Sequence, residues 1–123
     1  MIDLNKFDTR KAAEKGFILN LKHPVTGSKL DGWIELRGKD SDTYQEKILK
    51  ISRELVTQKD EFSESQIRAR LLAAATITWG EIAVGEKPVE YEHDKAVWLY
   101  DNFAWIAEQV NVAINDRANF MPG

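Results

Sequence analysis

The apolar positions along this chain fall into blocks of different period, and the densest block comes last. From Ala96 to Phe120, AVWLYDNFAWIAEQVNVAINDRANF carries two of the four tryptophans. A helix from Phe103 to Ile114 sets Phe103, Ile106, Ala107, Val110, Ala113 and Ile114 on one face, the mark of a core-facing helix. Trp105 and Val112 fall roughly 160–180° from the middle of that face at about 100° per residue. If the helix starts earlier and runs through Asp101-Asn102, then Trp98, Trp105 and Val112 form one stripe away from the core. If it breaks there, the tryptophans have no common stripe. Either they fill a core against the N-terminal strands, or they offer a second contact surface.

Upstream, Asp8 is placed to cap a short helix over Thr9–Lys15, with Gly16 at the C-terminal position that favours a left-handed residue. Phe17–Lys22 and Trp33–Arg37 alternate with the period of strands. The turn-formers Pro24, Gly27, Asp31 and Gly32 lie between them and predict a hairpin. Such a hairpin is marginal alone, so it must lie on the helices or pair through an open edge. Gly38 ends the second strand, and Ser41 or Asp42 caps a helix whose Tyr44, Ile48, Ile51 and Leu55 make the most regular apolar stripe in the chain. QKDEF breaks it. Ser63 and Gln66 then fit a capping box for a helix from Glu64 to about Thr78, whose LLAAATITW end is apolar almost all round and marks the bundle centre. GEIAVGEKPVEY reads as a loop with Ile82 and Val84 tucked under, and Asp94 as the cap of the next helix.

These elements predict one mainly α (α+β) domain over 1–123, a small bundle of about four helices with an N-terminal β-hairpin packed on it. Residues 1–16 are expected as a mobile N-terminal arm, 17–38 as the hairpin and 40–120 as the helical part. The length suits one core. With no cysteine there is neither a disulfide framework nor a thiolate metal site. No signal-peptide core and no span of roughly 18 apolar residues is visible, which leads to the expectation of a soluble intracellular protein without a membrane partner.

Charge divides the chain. Residues 1–60 hold twelve Lys/Arg and ten Asp/Glu, and residues 61–123 hold five and ten. The aromatic half is thus the acidic half, which argues against a nucleic-acid partner. It is either a solvated acidic surface or an acidic rim around an aromatic patch that receives a basic partner.

Catalytic chemistry finds few candidates. His23 and His93 have no metal-ligand spacing, and Asp40, Asp42 and Glu46 read as helix capping, because Tyr44 stands where a calcium loop needs an oxygen. No phosphate-binding glycine pattern, GxSxG elbow or cysteine nucleophile occurs. Glu90, Glu92 and Asp94 read as a solvated acidic run. No enzyme activity, catalytic residue, cofactor or metal is expected.

Six pieces in order resemble the tail assembly chaperones of long-tailed (siphovirus-type) bacteriophages and prophages. They are Pro24 and Gly27 in the hairpin turn; Gly38, Asp40, Ser41 and Tyr44 at a helix start; Trp79-Gly80 as a turn after an Ala-rich helix; Gly85, Lys87 and Pro88 in a loop; Trp105, Ile106, Gln109 and Val110 in the tryptophan helix; and Asp116, Arg117, Asn119 and Phe120 after it. The pattern covers most of the chain. Asp101-Asn102 departs from it, standing where the family has a proline-like break.

The resemblance implies a non-enzymatic, self-associating protein of the host cytoplasm that is absent from the mature virion. It would keep the tape measure protein soluble until tail tube protein polymerises around it. Such families are often made in two lengths by ribosomal frameshifting, and the ending after Asn119-Phe120 is compatible with the shorter. Trp98, Trp105, Gln109, Val112 and Phe120 are the residues expected to bind the partner. The alternative is a structural virion component such as a tail-completion or head-tail connector protein. A small DNA-binding regulator is disfavoured by the acidic C-terminal half.

Overall fold

A computed structural model describes residues 1–58 and 61–122. Its organising layer is an antiparallel sheet of β1 (Phe17–Lys22), β2 (Lys29–Leu36) and β3 (Thr76–Gly80), with β2 in the middle. Phe17 pairs with Leu36 and Leu19 with Ile34, while Ile34 faces Trp79 across the other ladder. The alternation in β2 works as the sequence suggests: Ile34 and Leu36 are fully buried, and Trp33 and Glu35, which alternate with them, are only half-covered. The hairpin turn closes through the His23 amide donating to the Ser28 carbonyl at 2.8 Å and the Gly27 amide donating to His23 at 3.0 Å.

The third strand corrects the expected helix to Thr78. Helix α3 (Glu64–Ala75) stops three residues earlier than that, and Thr76–Gly80 turns into the sheet, so Trp79-Gly80 ends a strand rather than making a turn. Thr76, Ile77 and Thr78 are β-branched and favour a pleated backbone. Extending them also gives the second edge of β2 a partner it would otherwise lack. Gly80 is required there, because a Cβ on it would lie 2.5 Å from the Trp33 ring. The expected loop after it contains a small hairpin, β4 (Ala83–Val84) with β5 (Lys87–Pro88), and Val84 is exposed rather than tucked under.

Helix α3 starts with the predicted capping box: the Gln66 amide donates to Ser63 Oγ at 3.2 Å and the Ser63 amide to Gln66 Oε1 at 2.9 Å. Its Ala69, Leu72, Ala73, Ala74 and Ala75 are buried, and small side chains there let α4 (His93–Asn102) approach closely. Asp94 lies in the first turn of α4, not at its cap, which is Glu92. Between these elements the Thr76 hydroxyl donates to the Leu72 carbonyl at 3.1 Å and accepts from the Tyr100 phenol at 2.7 Å.

Helix α4 does not continue into α5 (Ala104–Asn115). The break is at Phe103, with φ −123° and ψ 82°. Its amide still donates to Leu99 at 2.9 Å, while its carbonyl accepts from Ile106 at 3.0 Å, so one residue closes one helix and opens the next. Side chains fix the junction: Asp101 accepts from Ser65 Oγ at 2.6 Å and Asn102 Nδ2 donates to the Trp98 carbonyl at 2.9 Å. With a break here, the seven-residue spacing of Trp98 and Trp105 no longer corresponds to a helical stripe.

Residues 1–16, expected as an arm, contain a 3-10 turn at Leu4–Phe7 and α1 (Thr9–Lys15), capped by Asp8 as expected. From Thr9 onward they are fastened to the rest. Glu14 is the hub: its Oε1 accepts from Ser41 Oγ at 2.8 Å and from the Thr43 amide at 3.0 Å, and its Oε2 from Arg37 at 3.1 Å. It thereby supports the start of α2 (Asp42–Gln58), where Ser41 accepts the Tyr44 amide at 3.1 Å as the true N-cap. The QKDEF break after α2 includes residues 59–60, which lie outside the described residues.

The C-terminal 3-10 turn Arg117–Phe120 returns to α1. Arg117 grips Asp40 with two hydrogen bonds, at 2.7 and 3.0 Å, and Thr9 Oγ1 donates to the same carboxylate at 2.7 Å. Gly38 has no side chain because the Phe120 ring fills that space, 2.7 Å from where its Cβ would be.

Candidate partner-binding surface

Within α5, Trp105, Gln109 and Val112 are spaced i, i+4 and i+7, and so share one face of a continuous helix. Ile106, Ala107, Val110, Ala113 and Ile114 are buried on the opposite side, as periodicity requires, and Phe103 at the break is half-buried against the same core. The outward face of α5 and strand β1 are the walls of an open groove of about 550 Å³. Phe17, Leu19 and Pro24 supply its apolar surface opposite Trp105 and Val112, and Lys22 and Glu108 also line it.

Gln109 fastens the two walls together. Its Oε1 accepts the Lys22 amide at 3.0 Å and its Nε2 donates to the Lys22 carbonyl at 2.8 Å. A side-chain amide here does what a neighbouring strand would do, satisfying the edge of β1 at one residue. Val112 stays 68% exposed, a large aliphatic side chain in water beside an apolar groove.

The five expected partner-binding residues therefore separate. Trp105, Gln109 and Val112 come together. Trp98 lies on α4 beyond the break, 40% exposed, with its ring edge-on to Phe103 at 5.7 Å. Phe120 is a core residue, 2% exposed and edge-on to Phe17 at 5.8 Å, and presents no surface in this conformation. The reason is the Arg117–Asp40 contact, which pulls the C-terminal turn back over Gly38. The opposite wall, Phe17, Leu19 and Pro24, was not among the expected residues; the alternation of β1 places Phe17 and Leu19 on one side but does not say which helix faces them.

Trp105 also borders a second, smaller cleft of about 270 Å³, lined by the α4–α5 break, the β4–β5 hairpin and the far ends of β1 and β2. Ile82 and Val84 form its far wall, with Asp31 and Glu81 as its charged groups. The Val89 amide donates to the Ile82 carbonyl at 2.8 Å and holds the hairpin in place. Trp79 anchors the same region from below: it is buried, donates through Nε1 to the Val89 carbonyl at 2.8 Å, and meets Tyr91 edge-on at 5.1 Å.

The shifted titratable groups are explained by contacts that hold the fold. The Thr43 amide, with help from Ser41 and Arg37, lowers Glu14 to about 2 against some desolvation, and Arg117 with Thr9 lowers Asp40 to about 2. Burial raises the phenols of Tyr44, Tyr91 and Tyr100. His23 Nδ1 accepts the Val25 and Thr26 amides at 3.1 and 3.2 Å, which makes it a turn residue. Among the described residues no three His, Cys, Asp or Glu side chains are grouped to hold a metal ion.

The chain matches no family model, no curated protein and no solved structure. No helix among the described residues is long and apolar enough to cross a membrane.

Proposed function

We propose that this chain is a non-enzymatic tail assembly chaperone of a long-tailed bacteriophage or prophage. It works in the host cytoplasm and is left out of the mature virion. It covers the apolar faces of the tape measure protein, keeps it soluble, and gives it up to tail tube subunits. The reading rests on the ordered motifs from Pro24 to Phe120, and one observation carries it further: an uncovered apolar groove along α5, with Trp105 and Val112 on one wall and Phe17 and Leu19 on the other. A long helix with apolar stripes aggregates unless those stripes are covered, and a groove walled by a helix and a strand is suited to take such a stripe at i, i+3 and i+4 anchors. Aromatic side chains such as Trp105 contribute most per residue at such contacts.

The test is co-expression with the tape measure protein encoded beside it. The expected result is a soluble tape measure protein that co-purifies with this chain. A tape measure protein that stays insoluble with the chain in excess would refute the reading. So would recovery of the chain by mass spectrometry from purified particles, which is what a connector or tail-completion protein requires.

A further inference from the structure

The stretch Glu81–Ala83, which leads into β4, forms a crest between two clefts, the one of about 270 Å³ against Trp105 and Phe103, and another of about 470 Å³ against Trp79 and Tyr91. The smaller cleft is mainly apolar and the larger one mixed; three carboxylates, Asp31, Glu81 and Glu90, line them, and neither is lined by a lysine, arginine or histidine. All three acids are exposed, and none takes part in an ion pair among the described residues. The three ion pairs among the described residues, Glu14–Arg37, Glu54–Arg70 and Asp40–Arg117, involve none of the residues of this crest.

Glu81 has a second peculiarity. Among the described residues it is the one non-glycine with positive φ, at 56°. A glycine would take that conformation without strain, and a glutamate does not. Nothing in the fold uses its carboxylate as a hydrogen-bond acceptor among the described contacts. A strained residue thus carries its charge at the crest between two open clefts.

The geometry points to a docking site for a basic amphipathic peptide segment. One large apolar side chain of the segment enters between Trp105 and Ile82, and its lysines or arginines lie against Asp31, Glu81 and Glu90. Charge complementarity selects the occupant: an acidic or neutral apolar segment would leave the three carboxylates near a low-dielectric contact without a counter-charge, and nucleic acid would be repelled. The site shares Trp105 with the groove along β1 but is lined otherwise by different residues, and the inference stands whether or not the partner is a tape measure protein.

It is tested on the purified full chain without any phage protein. The probe is a synthetic helical peptide of leucine and lysine, with its leucine–glutamate counterpart as control, followed by tryptophan fluorescence and backbone NMR shifts. The lysine peptide is expected to bind with salt-sensitive affinity and to shift residues 30–32, 79–91 and 103–106. The combined Asp31→Asn, Glu81→Gln and Glu90→Gln variant is expected to weaken it roughly tenfold, from rim charges each of modest strength, with an unchanged melting temperature. Glu81→Gly alone separates binding from folding, since it relieves the strained φ and should keep or raise the melting temperature while still weakening the peptide. Equal binding of the glutamate peptide, an unaffected triple variant, or shifts confined to the β1 side of α5 would overturn the proposal. Self-association of the free chain that the same three substitutions abolish would overturn it as well, by making a second copy the occupant.

Discussion

Helices α2 and α5 make an instructive pair. Helix α2 has 17 residues and the most regular apolar stripe in the sequence, yet Ile51 is its one buried residue. Helix α5 has 12 residues, a less tidy pattern, and five buried side chains. The stripe of α2 does turn inward, but its main neighbours are α1 and α3, and Tyr44, Ile48 and Leu55 remain half-covered. Helix α5 meets β1, α3, α4 and the C-terminal turn. Periodicity therefore fixes which face of a helix is inside. How deeply that face is buried depends on what the rest of the chain brings to it.

Matched truncations measure this difference directly. Ile114→Ala on α5 should cost about 3 kcal/mol, within the range for buried aliphatic side chains that leave a cavity. Ile48→Ala on α2 should cost about 1 kcal/mol, because its side chain is only partly covered. Urea unfolding with unchanged slope is the measurement. Equal losses would mean that α2 contributes to the core as much as α5 does, and the comparison would fail.

Two tyrosines extend it, Tyr100 on α4, which packs against α5, and Tyr44 on α2. Tyr100 is fully buried and donates to Thr76, so Tyr100→Phe should cost about 1 kcal/mol, the net worth of one hydrogen bond. Burial pushes its phenol well above the ordinary value, with the Thr76 hydrogen bond opposing. A raised phenol favours the neutral form in the folded state. Its contribution is complete below about pH 10, the unfolded value, and is lost as the pH climbs toward the folded one. Alkaline unfolding should therefore lose part of its pH slope in Tyr100→Phe. Tyr44 on α2 is raised in the same direction by partial burial alone, and Tyr44→Phe should change that slope less.

Much of this architecture was legible from local pattern. The Asp8 cap, the alternation of β2, the Ser63–Gln66 capping box and the inward face of α5 each depend on residues within one or two turns of each other, and each is found as read. The misreadings share a different cause. AAATITW looks helical by its alanines, and only the unpaired edge of β2, some forty residues earlier in the chain, turns Thr76–Gly80 into a strand. Phe120 looks like the end of an amphipathic surface until Arg117 finds Asp40 across 77 positions. The groove on α5 was half visible: one wall is a helical face, but the Gln109–Lys22 contact that joins it to β1 spans 87 positions and has no local signature.

Glu14 is of this long-range kind, and its effect should be smaller. Its carboxyl sits at about 2 against an ordinary 4.5, chiefly because the Thr43 amide donates to it. A lowered value means stability that is present above the ordinary carboxylate range and is lost as the pH falls through that range toward about 2. Its side chain is 40% exposed, so solvent screening keeps Glu14→Gln to roughly 0.5–1 kcal/mol at neutral pH. The variant should flatten the acid limb of unfolding, and amide exchange should quicken at Thr43 and Tyr44, where α2 begins, while α5 stays protected. Uniform loss of protection would contradict a local role.

The smallest effect on stability should be the most informative about function. Val112 on α5 and Val56 on α2 are both large aliphatic side chains in water, 68% and 81% exposed. Val112→Asp and Val56→Asp should each shift stability by less than about 0.5 kcal/mol, as surface substitutions do. Their consequences for a partner differ if the groove is the contact. Val112 stands at the rim shared with Trp105, so an aspartate there puts a charge into an interface that must lose its water. Val56 has no such neighbour among the residues lining the groove. Co-purification with the tape measure protein should be lost in Val112→Asp and kept in Val56→Asp. Loss in both would mean that exposed apolar area alone drives the association, and retention in both would move the contact off α5. Only the split outcome ties binding to the α5 face where half-buried Trp105, exposed Val112 and a fastened strand edge meet.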